Sequence, residues 1–466
     1  MIKSKHLIKD FEVFLDFLEA HPDPFAKVNE AEIKLAIDEV KATLSEELST
    51  VDYYKKLSSI VALIKDGHSS VYMPEGWLQD ERKERGSFPY EVFLDNNEEL
   101  YVIKSLGDSI LPLGSKILSI NGMAVKDFVD RIDKYISYET KAFRNTLISR
   151  SFNQYLFLEF EDINEHVITY FHSDTEIAHV KNIDYKTWKS FQKNDKTERE
   201  KKIDSGQPYD YDYLGNGVGY LKIFSFATRD IDSYKFFLSK TFSQIKKKEV
   251  HSLIIDVRGN FGGWPKVSSE LFHYLSEGHF KTMAQSEMKV SNAYKKHFTD
   301  RYPQLRQANV IVAQNERHTV DLKAILENPI GSFKHEDLFY NESPITKTHE
   351  FKGDVYLLTN RDSFSAASSF AATFKCYQMG KIVGEPTGGT LIFRANPIVK
   401  VLPKSKIAIR LSTTKLYSTC FMEEDAVVYP DITIGPSILD LINDLDPQLR
   451  YTQMLIKKIR KQKESK

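Results

Sequence analysis

Ser365 is placed where a serine could act as a nucleophile, between a short apolar run and a stretch rich in alanine and phenylalanine. The run VYLLT at 355–359 is typical of a buried strand, and residues 366–379 favour a helix that Gly380 ends. A serine at the start of a helix lies beside free backbone N–H groups and the positive end of the helix dipole, which stabilise an oxyanion. Serine is also the ordinary capping residue of a structural helix, so Ser365 by itself does not distinguish catalysis from capping.

Two glycine-containing segments flank this serine in the sequence. IIDVRGNFGG at 254–263 precedes it, and GEPTGG at 384–389 follows it. The order of the three segments resembles the core of the tail-specific, C-terminal-processing family of serine peptidases (S41). In that family a strand ending in Asp-x-Arg-x-Asn-x-Gly-Gly builds part of the oxyanion hole, and a helix start rich in serine and alanine carries the nucleophile. The resemblance implies that Ser365 attacks the substrate.

The oxyanion hole is expected to come from backbone N–H groups on both sides of the nucleophile. We select the N–H of Gly262 or Gly263, together with that of Ala366, because a Gly-Gly turn lets the backbone approach a substrate carbonyl that a side chain would block. The alternative is a plain tight turn. Three polar residues before the turn are expected to brace this loop rather than to react: Asp256, Arg258 and Asn260.

The base predicted for the serine is a histidine rather than the lysine that most members of this family use. The position of that lysine, just after the GEPT-type turn, is Thr390 here. His68 lies in Asp-Gly-His-Ser-Ser-Val, which resembles the Asp-Gly-His-Thr segment of the tricorn-like branch of the family. In that branch a histidine is the base and a glutamate completes a charge relay, so the resemblance implies that His68 takes the serine proton.

The acid partner implied by the resemblance is a glutamate about six residues before a Pro-Asp pair. Pro430 and Asp431 place Glu424 at that position, with Glu423 as the neighbouring candidate. The tricorn-like branch also relays through a serine beside the histidine. Two serines could take that role here, or neither does: Ser69 and Ser70.

The composition is that of an ordinary globular protein with room for several domains. The 466 residues contain 64 Lys plus Arg and 65 Asp plus Glu, so bulk charge gives no reason to expect binding to nucleic acid or to an anionic membrane. The two cysteines, Cys376 and Cys420, fit no metal-ligand spacing and are expected to be reduced core residues. Neither the composition nor the resemblance implies a cofactor or a metal.

The N-terminal sequence is amphipathic and lacks both a continuous apolar stretch and a small-residue cleavage site, so it favours a helix over a secretion signal. No run reaches the roughly 18–20 apolar residues of a membrane span. These features favour a cytoplasmic protein, or an exported one whose signal has been removed.

Pattern changes along the chain predict an α/β, multidomain protein with a crotonase/Clp-like protease core. The segment LGSKILSINGMAV at 113–125 resembles part of a PDZ domain, a fold that binds peptide C-termini as an added strand; a generic hairpin turn at Asn-Gly is the alternative. The charged stretch 187–208 is expected to be an exposed linker or loop. The predicted divisions are an N-terminal helical domain that ends with the histidine segment, a PDZ-like domain, a helix-and-hairpin connector with the charged linker, the protease core, and a helical tail: 1–85, 86–134, 135–209, 210–440 and 441–466.

Together these residues predict a serine endopeptidase of the tail-specific type, in which Ser365, His68 and Glu424 cleave peptide bonds through an acyl-enzyme. Its partner would be a peptide or protein substrate, bound in some cases by its C-terminus, and the sequence leaves the oligomeric state open. Two alternatives share the same fold and residues: a peptide- or lipid-binding protein without catalysis, and an esterase or amidase for small molecules.

Overall fold

The computed structural model describes residues 1–107, 110–228, 230–276, 280–301, 327–337, 351–420 and 423–464. The chain begins with three helices: α1 (Ser4–Leu18), α2 (Glu30–Thr43) and α3 (Thr50–Leu63). Their apolar residues recur every three or four positions, so each helix has one apolar face, and these faces form a shared hydrophobic cluster. The side chains of Asn29 and Ser49 cap the second and third helices by accepting a backbone N–H.

The next part is rich in strands. Its elements are β1 (Ser70–Val71), α4 (Glu75–Arg85), β2 (Tyr90–Leu94), β3 (Leu100–Ser105), β4 (Lys116–Ile120), β5 (Met123–Ala124), α5 (Val125–Asp133), α6 (Lys141–Arg150), α7 (Phe152–Glu159), β6 (Glu165–Phe171) and β7 (Thr175–Lys181). An antiparallel sheet has the order β2-β3-β4-β6-β7, with β5 paired to β4. Asn121 and Gly122 both have positive φ, as a two-residue hairpin turn requires, so this segment contains an Asn-Gly turn between β4 and β5.

The charged stretch that was expected to be a linker or loop is helical over most of its length. It forms α8 (Tyr185–Asn194) and α9 (Glu198–Asp204), neither of which has a buried residue. Local capping explains the helices, because Asp184 caps α8 and a reciprocal pair between Thr197 and Glu200 caps α9. The segment is therefore exposed, as expected, but it has regular structure.

The rest of the chain alternates strands and helices. Its elements are β8 (Tyr209–Gly215), β9 (Val218–Ile223), α10 (Ile231–Lys247), β10 (Ser252–Asp256), α11 (Pro265–Phe272), β11 (Met283–Lys289), α12 (Asn292–Arg301), β12 (Phe333–Asp337), β13 (Asp354–Thr359), α14 (Ala366–Cys376), β14 (Lys381–Gly384), β15 (Ile392–Ala395), β16 (Ile398–Val401), β17 (Ala408–Leu411), β18 (Thr414–Ser418), β19 (Ile432–Thr433), α15 (Ile438–Ile442) and α16 (Pro447–Glu464). The main sheet has the order β19-β14-β13-β10-β9-β8 and is parallel except between β8 and β9. All five residues of β10 are buried, which is typical of a parallel strand covered on both faces.

Two smaller sheets connect distant parts of the chain. One has the order β12-β11-β18-β15. In the other, β1 pairs antiparallel with β17, so that Ser70 lies opposite Arg410. This pairing places the segment that follows α3 against the core.

The two cysteines form a disulfide, so the expectation that they are reduced is wrong. Cys376 ends α14, and Cys420 follows β18. Their Cα atoms lie 5.8 Å apart, within the range that a disulfide spans. The sequence spacing of 44 residues gave no sign of this pairing, because it depends on how α14 packs against β18.

The C-terminal helix packs against the main sheet through Ile456, which is buried in a cluster with residues of β9, β10, β13 and β14. No helix in the described part of the chain is both long enough and apolar enough to cross a membrane.

Candidate active site

Ser365 lies at the end of the turn that joins β13 to α14, immediately before the helix. Its backbone has φ 54° and ψ −123°, a conformation that residues with a side chain rarely adopt and that costs about 1–3 kcal/mol. Neighbouring contacts hold the turn in place: the Phe364 N–H donates to the Asn260 carbonyl at 3.0 Å, and the Ser363 hydroxyl donates to the Val257 carbonyl at 2.9 Å. The strained backbone turns the Ser365 side chain away from a capping role, since that side chain accepts no hydrogen bond from the helix.

The structure brings His68 to this serine across 297 positions of sequence. Nε2 of His68 lies 2.9 Å from Oγ of Ser365, at hydrogen-bonding distance. His68 is 6% exposed, and its ring stacks on Phe364 with a centroid separation of 4.8 Å. The pairing of β1 with β17 carries the His68 segment to the core, because His68 comes two residues before β1.

The other ring nitrogen of His68 faces Glu139, which the sequence analysis did not select. Nδ1 lies 3.4 Å from Oε1 of Glu139, and both side chains are buried. Among the described residues neither atom has another hydrogen-bond partner, so each is the natural partner of the other. The second oxygen of Glu139 accepts hydrogen bonds from the N–H and the hydroxyl of Thr390, at 2.9 and 3.1 Å. Thr390, at the position where a lysine was sought, thus holds a carboxylate against the histidine.

A second carboxylate, that of Asp66, lies on the same side of His68. Its Oδ1 accepts the backbone N–H of His68 at 2.9 Å and is 3.7 Å from the ring Nδ1. Its Oδ2 accepts the hydroxyl of Ser69 at 2.5 Å and lies 3.3 Å from Nε2 of His21. Nδ1 of His21 accepts the backbone N–H of Asp23, so Nε2 of His21 carries the proton that is donated to Asp66.

The two carboxylates set the protonation behaviour of His68. Burial by itself would lower the pKa of the His68 imidazole, but hydrogen bonding to Asp66 and Glu139, with their negative charges, outweighs burial and raises the pKa. Burial would raise the pKa of the Asp66 carboxyl, but hydrogen bonds and charge from His21 and His68 hold it well below its usual range. Asp66 is therefore ionised, and it stabilises the protonated form of the histidine.

The structure contradicts the prediction that Glu424 is the acid partner. Its carboxylate pairs with Arg394 at 2.8 Å and with Lys415 at 3.5 Å. Glu423 is exposed, and in the described part of the chain neither glutamate contacts His68. The physical reason is the buried guanidinium of Arg394, which lies between Asp23 and Glu424 and attracts both carboxylates.

The two candidate relay serines have different surroundings. Ser69 is buried, donates to Asp66 and accepts the backbone N–H of Ser412 at 3.1 Å, so it orients Asp66 rather than linking His68 to a glutamate. Ser70 lies in β1, paired with Arg410, and the described residues give its side chain no contact with the site. A serine relay of the predicted kind is not present among these contacts.

Of the three backbone N–H groups predicted for the oxyanion hole, one already has a hydrogen-bond acceptor within the protein. The N–H of Gly262 donates to the side chain of Asn260 at 2.8 Å, which corrects the prediction that it could serve as a donor. The N–H groups of Gly263 and Ala366 donate to no protein atom within the described ranges. Gly262 has φ +95°, and a Cβ on it would lie 2.7 Å from Cβ of Ser365, so its lack of a side chain keeps this loop against the serine.

Residues 257–263, which include Gly259, Gly262 and Gly263, form a loop after β10 that we call the glycine loop. Asp256 and Arg258 brace it, as expected from the sequence. The guanidinium of Arg258 binds both oxygens of Asp256 at 3.0 and 2.6 Å, and it also binds Asp446 and Gln448. Asn260 extends the brace, because its side chain joins the Ile223 carbonyl to the N–H of Gly262. These contacts fix the loop to the main sheet and to the start of α16.

A single group of three potential metal ligands is present in the part of the chain that the structure describes: Asp66, His68 and Glu139. Nδ1 of His68 faces both carboxylates, and its Nε2 faces Oγ of Ser365. This geometry fits a histidine that is oriented toward a serine.

A protein-family comparison matches the part of the chain that contains Ser365. Residues 217–434 match the model for peptidase family S41. The core of this chain belongs to peptidase family S41. The S41 assignment makes the protein a serine peptidase, and the predicted α/β class with an S41-type core is confirmed.

Solved structures resemble this chain over nearly its whole length. The structure of mature CPAF complexed with lactacystin has a TM-score of 0.65 and 16% identity, and the match covers 98% of both chains. The crystal structure of mature CPAF has a TM-score of 0.62 and 15% identity, with 94% of both chains covered. At such identity the likeness concerns the fold alone. No curated protein matches the chain.

Sequence reasoning did not find Glu139, Asp66 as a second acid, or His21. Asp66 could have been selected from the sequence, because it belongs to the same Asp-Gly-His segment as His68. Glu139 had one indirect signal, namely that Thr390, in place of lysine, leaves a position that can bind a carboxylate. His21 had none, since only the packing of the N-terminal helices brings it to Asp66.

Proposed function

We propose that this serine peptidase is an endopeptidase of the tail-specific type, in which Ser365 is the nucleophile, His68 the base and Glu139 the acid partner. The observation that carries the proposal is the contact of 2.9 Å between Nε2 of His68 and Oγ of Ser365, with Nδ1 of the same ring facing a buried carboxylate. This is the arrangement that activates a serine hydroxyl.

The proposed reaction has two halves. Oγ of Ser365 bonds to the carbonyl carbon of the substrate while its proton passes to Nε2 of His68, and the carbonyl oxygen gains negative charge beside the free N–H groups of Gly263 and Ala366. The C–N bond then breaks as His68 gives that proton to the leaving amine. Water attacks the resulting ester, with His68 taking and returning one proton, and releases Ser365.

The carboxylates have distinct roles in this proposal. Glu139 holds the proton of the imidazole on Nδ1, so that the lone pair of Nε2 faces the serine. Asp66 fixes the backbone of His68 and adds negative charge near the imidazolium that forms in each half-reaction.

The tail-specific part of the proposal rests on the β-rich domain. The strands around the hairpin at Asn121 and Gly122, with α5 after them, are consistent with a PDZ-like domain, a fold that binds peptide C-termini. A substrate held there by its end could present an internal bond to Ser365. Peptides with a free C-terminus should then be cleaved faster than the same peptides with a C-terminal amide.

The experiment that tests the catalytic assignment measures hydrolysis of a mixed peptide library by the wild type, Ser365→Ala and His68→Ala. We expect cleavage by the wild type and loss of at least about 10³-fold in both variants. A fluorophosphonate probe should label Ser365 in the wild type only. An unlabelled wild type that cleaves no peptide would favour a binding protein on the same fold, whereas hydrolysis restricted to small esters would favour an esterase.

A further inference from the structure

Arg199, on α9, has a buried nitrogen without a partner. In the described part of the chain its guanidinium forms no ion pair, and its Nε is buried with no hydrogen-bond partner. A buried donor left without a partner costs free energy, and more so when it is charged. A ligand that accepted a hydrogen bond from it would recover that loss.

Arg199 lies beside the glycine loop that packs against the catalytic serine. A Cβ on Gly259 would lie 3.6 Å from both Cδ and Nε of Arg199. Three residues further along the loop, Gly262 is in contact with Ser365. Because three residues span at most about 10 Å, Arg199 is within reach of a substrate bound at the serine.

A second arginine faces the same aromatic ring. The guanidinium carbon of Arg150 lies 4.2 Å from the ring centroid of Phe261, and that of Arg199 lies 5.5 Å from it. Arg150 binds Asp362 at 3.1 Å and is 44% exposed at its side chain. The ring of Phe261, the residue immediately before Gly262, is therefore close to two cations.

The two carboxylates near Arg150 and Arg199 already have hydrogen-bond partners. Asp362 binds Arg150 and the hydroxyl of Thr146, at 3.1 and 2.6 Å. Glu200, next to Arg199, is occupied by the capping pair with Thr197. Burial and the positive charge of Arg150 lower the pKa of Arg199, which agrees with a cation that lacks a full counter-charge.

We propose that Arg199 and Arg150, which both lie close to the ring of Phe261, form a subsite for a carboxylate of the peptide substrate. The proposal rests on the proposed function and adds a substrate class to it: peptides with a carboxylate about two to four residues from the cleaved bond, at about 3.3 Å per residue of extended chain. That carboxylate belongs either to an acidic side chain or to the C-terminus of the peptide. Arg199 supplies the unpartnered donor, and Arg150 keeps the site positively charged.

The test measures binding and cleavage separately, so that failure of catalysis is distinguishable from failure of the subsite. Binding is measured in the Ser365→Ala variant with matched peptides that carry glutamate or glutamine at each position around the bond, and with a C-terminal acid or amide. Cleavage of the same peptides is measured with the active enzyme. Each measurement is repeated with Arg199→Met and Arg199→Lys, and with Arg460→Met as a control at an exposed arginine on α16.

We expect one position to favour the carboxylate over its neutral match by about 5- to 30-fold in affinity, as for one charged hydrogen bond. Arg199→Met should bring that ratio to about one. Arg199→Lys should retain part of the ratio, and Arg460→Met should retain all of it. A glutamate preference assigns the subsite to side chains, and an acid-over-amide preference assigns it to the C-terminus. Equal binding of charged and neutral peptides to Ser365→Ala, or an unchanged ratio in folded Arg199→Met, would overturn the proposal.

Discussion

His68 has two carboxylates on its Nδ1 side, where one would suffice to orient it. Glu139 is held by Thr390, and Asp66 is held by Ser69 and His21. Each carboxylate stabilises the imidazolium that forms when Ser365 gives up its proton. Each also makes the resting imidazole easier to protonate, so the arrangement favours catalysis at neutral to alkaline pH over catalysis in acid.

The choice between Glu139 and Glu424 can be decided by one pair of isosteric variants. Glu139→Gln removes the negative charge beside Nδ1 and lets the ring adopt the wrong tautomer, so kcat should fall by about 10²–10⁴-fold. Glu424→Gln changes an ion pair with Arg394 that lies away from the ring, so kcat should stay within about threefold. Peptide hydrolysis under saturating substrate measures both, and an equal loss in the two variants would contradict the assignment.

The pH dependence follows from the raised pKa of His68. Only the neutral imidazole accepts the serine proton, so kcat/KM should rise with pH through a midpoint above the ordinary value of about 6.5. Glu139→Gln or Asp66→Asn removes one of the charges that stabilise the imidazolium, so the pKa falls and the midpoint moves to lower pH. Profiles of kcat/KM against pH for the three proteins check this. A midpoint that moved upward in either variant would mean that the removed carboxylate does not act on His68.

At the level of single residues, Ser365 and His68 could be selected from the sequence because both lie in motifs that resemble a family, and the structure brings their side chains to 2.9 Å. Glu139 could not be predicted in that way. It lies 251 positions from Thr390, which holds it, and only the folded chain brings the two together. Glu424, the glutamate predicted instead, pairs with the buried Arg394, and no sequence motif indicates that pair.

Among the structural elements, the glycine loop is the one that the nucleophile depends on most. Gly262→Ala places a methyl group 2.7 Å from Cβ of Ser365 and strains a backbone at φ +95°, so fluorophosphonate labelling should fall by at least about tenfold. Gly122→Ala is a matched control, because Gly122 has φ +80° but nothing within 4 Å of an added Cβ. Both variants carry the backbone strain, and only the first should lose labelling. Equal labelling of Gly262→Ala and Gly122→Ala would show that the loop accommodates the methyl group without displacing Ser365.

The disulfide joins Cys376, at the end of the helix that follows Ser365, to Cys420, which comes two residues after β18. Closing a loop of 44 residues restricts the unfolded chain, which corresponds to about 2–4 kcal/mol of stability. Cys376→Ser should therefore lower the midpoint of urea unfolding, and a reducing agent should lower it for the wild type but not for the variant. A midpoint that is the same with and without reductant would show that the cysteines are not paired in the protein.

The regular elements were more predictable than their connections. The strand expected at 355–359 and the helix expected after Ser365 are present as β13 and α14. Both follow directly from apolar patterns, because burial on both faces of a strand leaves a continuous apolar run. The charged stretch was misjudged, since capping residues such as Asp184 and Thr197 form short helices without an apolar face. The disulfide and the pairing of β1 with β17 depend on packing, which local pattern does not contain.

In the whole molecule, the N-terminal helices hold the base against the core through polar contacts at several places. Asp10 accepts the backbone N–H groups of Lys404 and Ser405 at 2.9 and 2.6 Å, in the turn between β16 and β17. Asp23 pairs with Arg394 on β15. These contacts and the β1–β17 pairing position His68 relative to Ser365.

Arg394→Gln tests how far the site depends on these contacts between the N-terminal residues and the core. The guanidinium is 4% exposed, and its removal leaves Asp23 half-buried and without its main counter-charge, which should lower the free energy of unfolding by about 1–3 kcal/mol. Activity should fall further than the folded fraction does, because His68 loses part of its support. Urea unfolding and kcat measure the two effects. Lys126→Gln, which breaks an exposed pair with Asp130, should change both by little, and a similar result for Arg394→Gln would contradict the docking role.

The distance of 297 residues between His68 and Ser365 has a consequence for the protein during its synthesis. A ribosome releases His68 and Glu139 long before it releases Ser365, and β17, the strand that β1 needs, is made later still. A partly made chain therefore contains either no nucleophile or a nucleophile without its docked base. In the proposed mechanism, cleavage is therefore possible only after β17 has been translated, well after the nucleophile itself has been made.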